Sequence, residues 1–497
     1  MKALFFIDTA EGSGKGHLMR SVEIIKQFKK NGWQVIIIIE KCRLGKFKLE
    51  IKALADTLEF LDPNKELDIN YFIKKARDSN CNRIIIDSYK MNYKNFTKIS
   101  LDELKVFRIL DNPTLQIDGI RDIKLGIRFN LQETNEGLKI VYPIRQLPDK
   151  KPKDDKLRNV LFYFGSEPSN QQVEFANVVI ARLNPGITSY IYNPNISDIN
   201  SQNASFIDNI DEILPNVSLL ICAASTIIYE AAYLEIPCIT VATNKSQENH
   251  DHDLELLGHF INLEEIDLRQ HEKMVKLIEN IISKLEVLEV EVGEGRKNLL
   301  ESSSLHIYNY IVEESPDSKT KATKEKVETS LKLGINFRSI TLADSNLILN
   351  CRNSPEIREL MVDAQVIPKL SHYNWWFENK RSSFIYELNT NPSVYLWHEQ
   401  FADNGLDFFI GGWIPLVKNL PPLSLFTILD WQIQLTKSIN PHAKWLAVIN
   451  EKNVFTQFVN NKLGFKKITL NDPLYKVATK KFKVDEQGFS FYKYEFN

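Results

Sequence analysis

The stretch LFFIDTAEGSGKGHLMRSVEIIKQFKKNGWQVIIII, residues 4–39, decides how this chain folds. Residues 4–7 and 34–39 are short apolar runs of strand length, and residues 18–30 repeat apolar side chains at helical spacing. A strand, a glycine-rich turn, a helix and a second strand make one βαβ unit, which places both strands in a parallel sheet. The stretch therefore predicts an α/β fold.

The same alternation continues along the chain in two blocks. Further strands are predicted at 83–87, 106–110, 159–164, 189–192, 219–222 and 238–241. A basic, proline-bearing segment at 147–156 separates the blocks and has the composition of a linker. We therefore predict two Rossmann-like domains, residues 1–146 and 157–312, with ligands at the carboxyl ends of their strands.

The amino-acid composition changes twice after residue 312. Residues 313–330 contain almost no apolar side chains and cannot offset the entropy of ordering, so we predict a flexible linker over 313–333. Residues 334–497 contain six of the seven tryptophans and end in an aromatic run at 489–494, which predicts an edge strand. These residues form a third predicted domain.

Composition excludes several classes of protein. With 62 Lys and Arg against 64 Asp and Glu, the net charge is −2, so no excess of cations favours nucleic acid. The apolar runs are far shorter than the about 20 residues of a membrane span, and the first is too brief for a signal peptide. Five scattered cysteines without a C-x-x-C pair indicate free thiols in a reducing cytoplasm. We expect a cytoplasmic protein without membrane insertion; composition leaves its oligomeric state undetermined.

The loop GSGKGH, residues 12–17, lies between the first strand and the first helix. Its glycines allow close approach of a ligand, but their spacing matches neither a dinucleotide fingerprint nor a P-loop. His17 falls on the first helical turn, where the positive end of the helix dipole favours a neutral imidazole. A neutral imidazole suits a general base. From these residues alone, a surface histidine beside a tight turn fits equally.

Residues 14–21, GKGHLMRS, resemble the G-x-G-H-x-x-R signature of a hydrolase family of pseudaminic acid synthesis. The family is the UDP-2,4-diacetamido-2,4,6-trideoxy-β-L-altropyranose hydrolases, which have a glycosyltransferase-B-like fold. The resemblance extends over roughly residues 1–315. It implies that His17 activates water, while Gly14, Gly16 and Arg20 bind substrate.

Two further motifs carry this resemblance. Residues 86–89, IDSY, are similar to the family's Asp-x-Tyr, which implies that Asp87 binds substrate and that Tyr89 lines the sugar pocket and assists the chemistry. Taken alone, they also fit a turn aspartate and a half-buried tyrosine. Residues 164–170, FGSEPSN, are similar to F-G-G-x-D-P-x-N, which implies that Gly165 faces the same ligand.

The fourth motif is CAASTIIYE at residues 222–230, which is similar to the family's A-G-G-S-T-x-x-E. It implies that Ser225 and Thr226 bind the pyrophosphate at a helix N-terminus and that Glu230 accepts hydrogen bonds from the ribose. Gln247 stands where the family has an Asn-Gln pair. An ordinary helix cap and a surface acid are the alternative interpretation. The run HDHD at 250–253 lacks the i, i+4 spacing of a helical zinc pair, so we expect no metal.

Residues 334–497 resemble the GNAT-type N-acetyltransferases, especially a sugar 4-N-acetyltransferase of the same pathway. The residues that carry this resemblance lie at 337–341, 351–358, 372–375, 450–458 and 463–465. It implies an α/β domain that could take acetyl-CoA, with His372 and His398 either catalytic or part of the core. The loop VKNLPP at 417–422 has no glycine, and its two prolines remove N–H donors that a pyrophosphate cradle needs.

Together these observations predict a UDP-sugar hydrolase that needs no cofactor for hydrolysis, fused to an acetyltransferase-like domain. A nucleotide-sugar glycosyltransferase of surface polysaccharide assembly is one alternative, because the same base could activate an acceptor hydroxyl instead of water. A catalytically impaired sugar-nucleotide-binding protein is another. Asn112, Ala223 and Ala224 motivate it, because they replace an aspartate and two glycines of the family.

Overall fold

The computed structural model of the protein contains two compact units. The first comprises residues 1–275 and 281–327, and the second comprises residues 276–280 and 328–497. The structure describes residues 1–9, 16–40, 47–62, 67–88, 90–94, 96, 104–110, 117–125, 138–140, 158–165, 168–192, 204–207, 209–225, 227–242, 251–296, 303–313, 336–403, 405–484 and 488–496. The predicted linker at 147–156 and nearly all of the linker at 313–333 lie outside these residues.

The first unit begins with a seven-stranded parallel sheet. Its strands are β1 (Lys2–Ile7), β2 (Gln34–Glu40), β3 (Thr57–Leu61), β4 (Arg83–Asp87), β5 (Lys105–Leu110), β6 (Ile120–Leu125) and β7 (Leu138–Ile140), and its helices are α1 (Gly16–Lys30), α2 (Phe47–Leu54) and α3 (Ile69–Asp78). The strand order is β3-β2-β1-β4-β5-β6-β7. The order reverses between β1 and β4, and in such sheets that is where ligands bind.

A second, six-stranded parallel sheet follows in the same unit. Its strands are β8 (Asn159–Tyr163), β9 (Thr188–Tyr192), β10 (Ala204–Ile207), β11 (Leu219–Ala223), β12 (Cys238–Ala242) and β13 (Ile261–Glu264). Its helices are α4 (Asn170–Ile180), α5 (Ile210–Ile213), α6 (Ile227–Tyr233), α7 (Asp251–Leu256), α8 (His271–Ile282) and α9 (Leu285–Arg296). The order β10-β9-β8-β11-β12-β13 reverses between β8 and β11. The predicted α/β class with two Rossmann-like parallel sheets is confirmed.

The last described helix of this unit, α10 (Ser303–Glu313), packs against α1 and β7 in the layer of the first sheet. Its Tyr308 ring meets Phe28 of α1 edge to face, with centroids 5.0 Å apart. The Nε of Arg83 donates a hydrogen bond to the carbonyl of Ile311 over 2.9 Å. The predicted domain 157–312 thus ends in a helix that is anchored to the other sheet.

The second unit contains a mixed seven-stranded sheet. Its strands are β14 (Asn336–Ser339), β15 (Ser382–Leu388), β16 (Asn391–Asp403), β17 (Leu406–Pro415), β18 (Lys444–Asn450), β19 (Lys466–Lys467) and β20 (Phe489–Glu495). Its helices are α11 (Ser345–Asn353), α12 (Pro355–Arg358), α13 (Lys369–Glu378), α14 (Pro422–Ile439), α15 (Val454–Lys462) and α16 (Pro473–Phe482). The parallel neighbours β17 and β18 pair over only three residues each.

One predicted feature of this sheet was wrong. The aromatic strand β20 is not an edge strand, because it pairs with β18 on one side and with β19 on the other. The edge is formed by the two residues of β19, which has no apolar run that could indicate a strand. The aromatic side chains Phe491 and Tyr492 are buried within the sheet's cores.

A buried histidine in the first unit predicts sensitivity to acid. His259 lies before β13, and neither ring nitrogen has a hydrogen-bond partner within the described chain. Burial lowers its pKa to about 3. In the unfolded chain His259 binds a proton near pH 6.5, whereas in the folded chain it stays neutral at that pH. Acidification therefore favours unfolding. We expect a loss of about 2 kcal/mol between pH 7 and pH 5 from this residue alone.

The variant His259→Leu, compared with the wild type by urea unfolding at both pH values, measures this contribution. The wild type should lose stability relative to the variant as the pH falls. The surface histidine His442 provides the control, since His442→Leu should leave the pH dependence unchanged. Equal acid sensitivity of wild type and His259→Leu would show that His259 accepts its proton in the folded state.

Candidate active site

A cluster of polar side chains lies where the first sheet reverses its strand order. Helix α1 follows β1, and its first turns carry His17, Arg20 and Ser21. Positions three and four residues apart share one face of a helix, so these side chains point the same way. Asp87 ends β4, the strand that pairs with β1, and faces them. Side chains that are 66 to 70 residues apart in sequence thus meet at one sheet edge.

Asp87 accepts hydrogen bonds from all three residues of α1. His17 Nδ1 lies 2.5 Å from Oδ1 of Asp87, and Arg20 Nε donates to Oδ2 over 2.7 Å. Arg20 Nη2 donates to Oδ1 as well, which makes the arginine bidentate. Ser21 Oγ donates to Oδ2 over 3.0 Å. The four side chains are 0–3% exposed, so this network is a fixed part of the fold.

The contacts of His17 Nδ1 decide the tautomer of the ring. Nδ1 also lies 2.8 Å from Arg20 Nη2. The Asp87 carboxylate can bond only a protonated Nδ1, whereas the Arg20 guanidinium can bond only an unprotonated one. A carboxylate only accepts and a guanidinium only donates. We assign the proton to Nδ1, because the bond to Asp87 is the shorter and is charge-assisted. Nε2 then carries the lone pair, which is the arrangement of a histidine oriented to act as a base.

The charge on Asp87 is secured by its neighbours. Burial alone would raise the pKa of Asp87, but the Arg20 guanidinium and the His17 ring hold that pKa well below its usual range. The carboxylate therefore stays ionised across the physiological range. A permanently charged acceptor keeps the imidazole in one orientation and stabilises the imidazolium that forms when Nε2 takes a proton.

The structure brings together only some of the predicted site residues. His17, Arg20 and Asp87 are in direct contact, as described above. Gly16 is the first residue of α1. Gly14, Tyr89, Thr226 and Gln247 lie outside the described residues. Their predicted roles stay predictions, as do the substrate-binding roles of Arg20 and Asp87, whose side chains are directed at His17.

Three other predicted residues lie in the part of the chain that forms the second sheet and its helices. Gly165 follows β8 and has φ +86°, a conformation that glycine adopts without strain. Ser225 follows β11, the strand that pairs with β8, so both residues lie at the sheet edge where the strand order reverses. Glu230 is buried on α6. Ligands bind at such an edge in parallel sheets, and the binding roles of Gly165, Ser225 and Glu230 stay predictions.

Sequence reasoning missed four polar residues at the first sheet's edge. Ser21 completes the hydrogen bonds around Asp87, and Asp8, Glu40 and Ser88 are buried at the ends of β1, β2 and β4. A signal was available, because two neighbouring apolar runs close on an acid, Ile7-Asp8 and Ile39-Glu40. An acid directly after a buried strand lies at the carboxyl edge of the sheet.

The two histidines considered in the second unit are buried. Burial lowers the pKa of His372 to about 4, although the backbone of Ser345 opposes the shift, and Ser345 Oγ lies 3.1 Å from His372 Nε2. Burial lowers the pKa of His398 to about 4, and neither of its ring nitrogens has a partner in the described part of the chain. Both rings pack against aromatic side chains, which is typical of core residues.

The described residues contain neither a candidate metal site nor a membrane-spanning helix. The side chains of 250–253 are not described. Elsewhere in the described ranges, no group of three or more His, Cys, Asp or Glu residues could hold a metal ion. None of the described helices combines the length and the hydropathy that a membrane span needs.

Comparison with known proteins bears on the second sheet. Residues 144–298 match the model of the family described as Glycosyltransferase family 28 C-terminal domain. This part of the chain is glycosyltransferase-like. The matched range contains strands β8 to β13 and therefore the edge with Gly165 and Ser225.

Other similarities cover larger or different parts of the chain. The chain is 22% identical to a protein of Methanocaldococcus jannaschii named Uncharacterized protein MJ1062, over 94% of this chain and 97% of that protein. Among solved structures it is similar to Acinetobacter baumannii MurG, with 13% identity, a TM-score of 0.45, and coverage of 63% of this chain and 100% of that chain. An N-acetyltransferase from Staphylococcus aureus covers 33% of this chain and 99% of its own length, with 14% identity and a TM-score of 0.27.

Proposed function

We propose that the protein hydrolyses a UDP-linked 2,4-diacetamido-2,4,6-trideoxy sugar to free sugar and UDP, in the synthesis of a pseudaminic-type nonulosonic acid. The observation that carries the proposal is the buried contact of His17 Nδ1 with Asp87, at 2.5 Å, where the first sheet reverses its strand order. An imidazole that a carboxylate orients in this way is suited to act as a general base.

In this mechanism Nε2 of His17 takes a proton from a water molecule. The oxygen of that water forms a bond to the anomeric carbon, and the bond from that carbon to the UDP oxygen breaks with its electron pair on UDP. The proton remains on the imidazolium, which Asp87 stabilises, and passes to solvent after the sugar leaves. Asp87 and Arg20 are positioning residues here, because each contacts His17 directly and the two are also hydrogen-bonded to each other.

The second sheet is the proposed site of the UDP group. Gly165 and Ser225 lie at the reversal of its strand order, within the range that matches the glycosyltransferase domain. Ser225, with Thr226 and the N-terminus of α6, would bind the pyrophosphate, and Glu230 and Gln247 would bind other groups of the nucleotide. Fixed dipoles can stabilise the charge on the departing UDP, so no step in this mechanism requires a metal.

The second unit is proposed to be GNAT-like, supported by its mixed sheet and by the short pairing of β17 with β18. Its residues do not fit the pyrophosphate of acetyl-CoA. Helix α14 starts at Pro422 with Pro421 as its N-cap, and no side chain caps it. Prolines supply no N–H donors at that position. We therefore derive no acetyl transfer step for this unit.

Transfer to an acceptor hydroxyl is the competing function, because the family match is to a glycosyltransferase domain. Incubation of the full chain with UDP-2,4-diacetamido-2,4,6-trideoxyaltrose, with and without acetyl-CoA, distinguishes the two. We expect UDP to appear with the sugar nucleotide alone and at the same rate with acetyl-CoA. Release that requires an added acceptor would establish transfer, and binding without release would establish an inactive binding protein.

A further inference from the structure

Three polar side chains lie on the face of the first sheet opposite His17. Side chains alternate between the faces of a strand, and Phe6, Ile38 and Ile86 belong to the core on the α3 side. Two residues further along, the same face carries Asp8, Glu40 and Ser88. Asp87 belongs to the other face and contacts α1. The three residues, here called the edge cluster, end three adjacent strands.

The edge cluster is buried but not fully satisfied. Ser88 Oγ donates to Asp8 Oδ2 over 3.2 Å, and the backbone N–H of Lys90 donates to Ser88 Oγ over 3.1 Å. Glu40 is only 2% exposed, and its Oε2 has no hydrogen-bond partner in the described part of the chain. A buried carboxylate oxygen without a donor is costly, so this oxygen needs a hydrogen-bond donor from outside the described residues.

The side chains of the edge cluster favour a ligand that carries hydrogen-bond donors. Burial and the nearby Asp8 carboxylate raise the pKa of Glu40, while Lys90 opposes the shift. Both acids present acceptor oxygens, and the Ser88 hydroxyl already donates to Asp8. Among the described residues, no histidine, cysteine or further acid lies with Asp8 and Glu40 to make a group of three possible metal ligands. The cluster is therefore suited to hydroxyl and amide N–H groups.

The edge cluster lies at the same end of the sheet as Asp87, which contacts the proposed base. The backbone N–H of Asp8 donates to the carbonyl of Asp87 over 2.9 Å, so the two residues are direct neighbours across β1 and β4. Adjacent strands are about 4.8 Å apart, which is comparable to the width of one sugar ring. A sugar at this edge could contact the cluster while its anomeric carbon lies near His17.

We propose that Glu40 and Asp8 form a subsite that accepts hydrogen bonds from the hydroxyl or amide N–H groups of the glycosyl part of a nucleotide sugar. The inference rests on the proposed function, because it presumes that a nucleotide sugar binds. It assigns recognition of the sugar to the first sheet's edge, separately from the nucleotide contacts of the second sheet.

Isothermal titration of the full chain with UDP, UDP-glucose, UDP-N-acetylglucosamine and UDP-N-acetylgalactosamine tests this subsite. The quantity of interest is the ratio of each sugar nucleotide's affinity to that of UDP. The variants are Glu40→Gln and Asp8→Asn, which keep the shape and replace an acceptor oxygen by a donor. The matched control is Glu59→Gln on β3, where the acid pairs with Lys75 instead.

We expect the wild type and Glu59→Gln to bind at least one sugar nucleotide more tightly than UDP. Glu40→Gln should reduce that preference about tenfold, since a hydrogen bond to a charged group is lost, and leave UDP affinity unchanged. Asp8→Asn provides the same test where Glu40→Gln does not fold. A preference that is absent in the wild type, or unchanged in the folded variants, overturns the subsite alone. Wild-type protein that does not bind UDP overturns both this inference and the proposed function.

Discussion

Replacement of His17 by glutamine should reduce the rate of UDP release by about 10²–10⁴-fold, which is the usual contribution of a general base. Glutamine keeps a polar side chain in the buried network but has no nitrogen that can take a proton. UDP should bind the variant as tightly as the wild type, because the proposed nucleotide contacts are on the other sheet. The measurement is UDP release under saturating substrate, together with titration of UDP.

The variant His442→Gln is the control for this experiment, because that histidine is exposed in the other compact unit. His17→Phe, which cannot hydrogen-bond to Asp87, should be impaired at least as strongly as His17→Gln. Release of UDP at the wild-type rate by either His17 variant would exclude this imidazole as the base, and another group would have to activate the water.

Replacement of Asp87 by asparagine should damage both stability and rate. The change leaves the buried Arg20 guanidinium without its counter-charge, which typically costs about 3–5 kcal/mol of unfolding free energy. It also removes the acceptor that keeps the proton on Nδ1 of His17. Loss of an orienting carboxylate can lower kcat about 10⁴-fold through the wrong tautomer. Urea unfolding and UDP release per folded molecule measure the two effects separately.

The sheet provides a control that separates these two effects. Arg108 and Asp122 form a second buried ion pair, with Nε and Nη2 each 2.9 Å from a carboxylate oxygen. Asp122→Asn also removes the carboxylate charge that pairs with a buried guanidinium, so it should lower the free energy of unfolding by a similar amount. It does not contact His17, so the rate per folded molecule should remain that of the wild type. Equal rate losses in the two variants would mean that Asp87 supports only the fold.

The strands were predictable because their apolar runs are explicit. The sequence indicated a strand at 83–87, and β4 covers the same residues; the second predicted strand, 34–39, differs from β2 by one residue. Buried parallel strands need apolar side chains on both faces, and this leaves a visible pattern. The two-residue β19 leaves none, which is why β20 was mistaken for an edge.

The site was only partly predictable for a different reason. His17 and Asp87 were each identified, but their contact depends on β4 lying next to β1, and strand order is a long-range property. The hydrogen bond of Ser21 to Asp87 was not predictable, because a serine in a helix has no distinctive sequence pattern. The acid after residues 34–39 indicates the carboxyl edge of the sheet, but only the structure shows that Glu40 is buried and that its Oε2 has no donor among the described residues.

Helix α10 has a practical consequence for dissecting the molecule. A fragment cut after residue 146 would lack the Tyr308 ring and the Ile311 carbonyl that cover α1 and bind Arg83, so its apolar surface would meet water. A second fragment would carry that helix without its binding surface. Anyone producing the halves as separate recombinant polypeptides should graft residues 303–313 onto the amino-terminal piece.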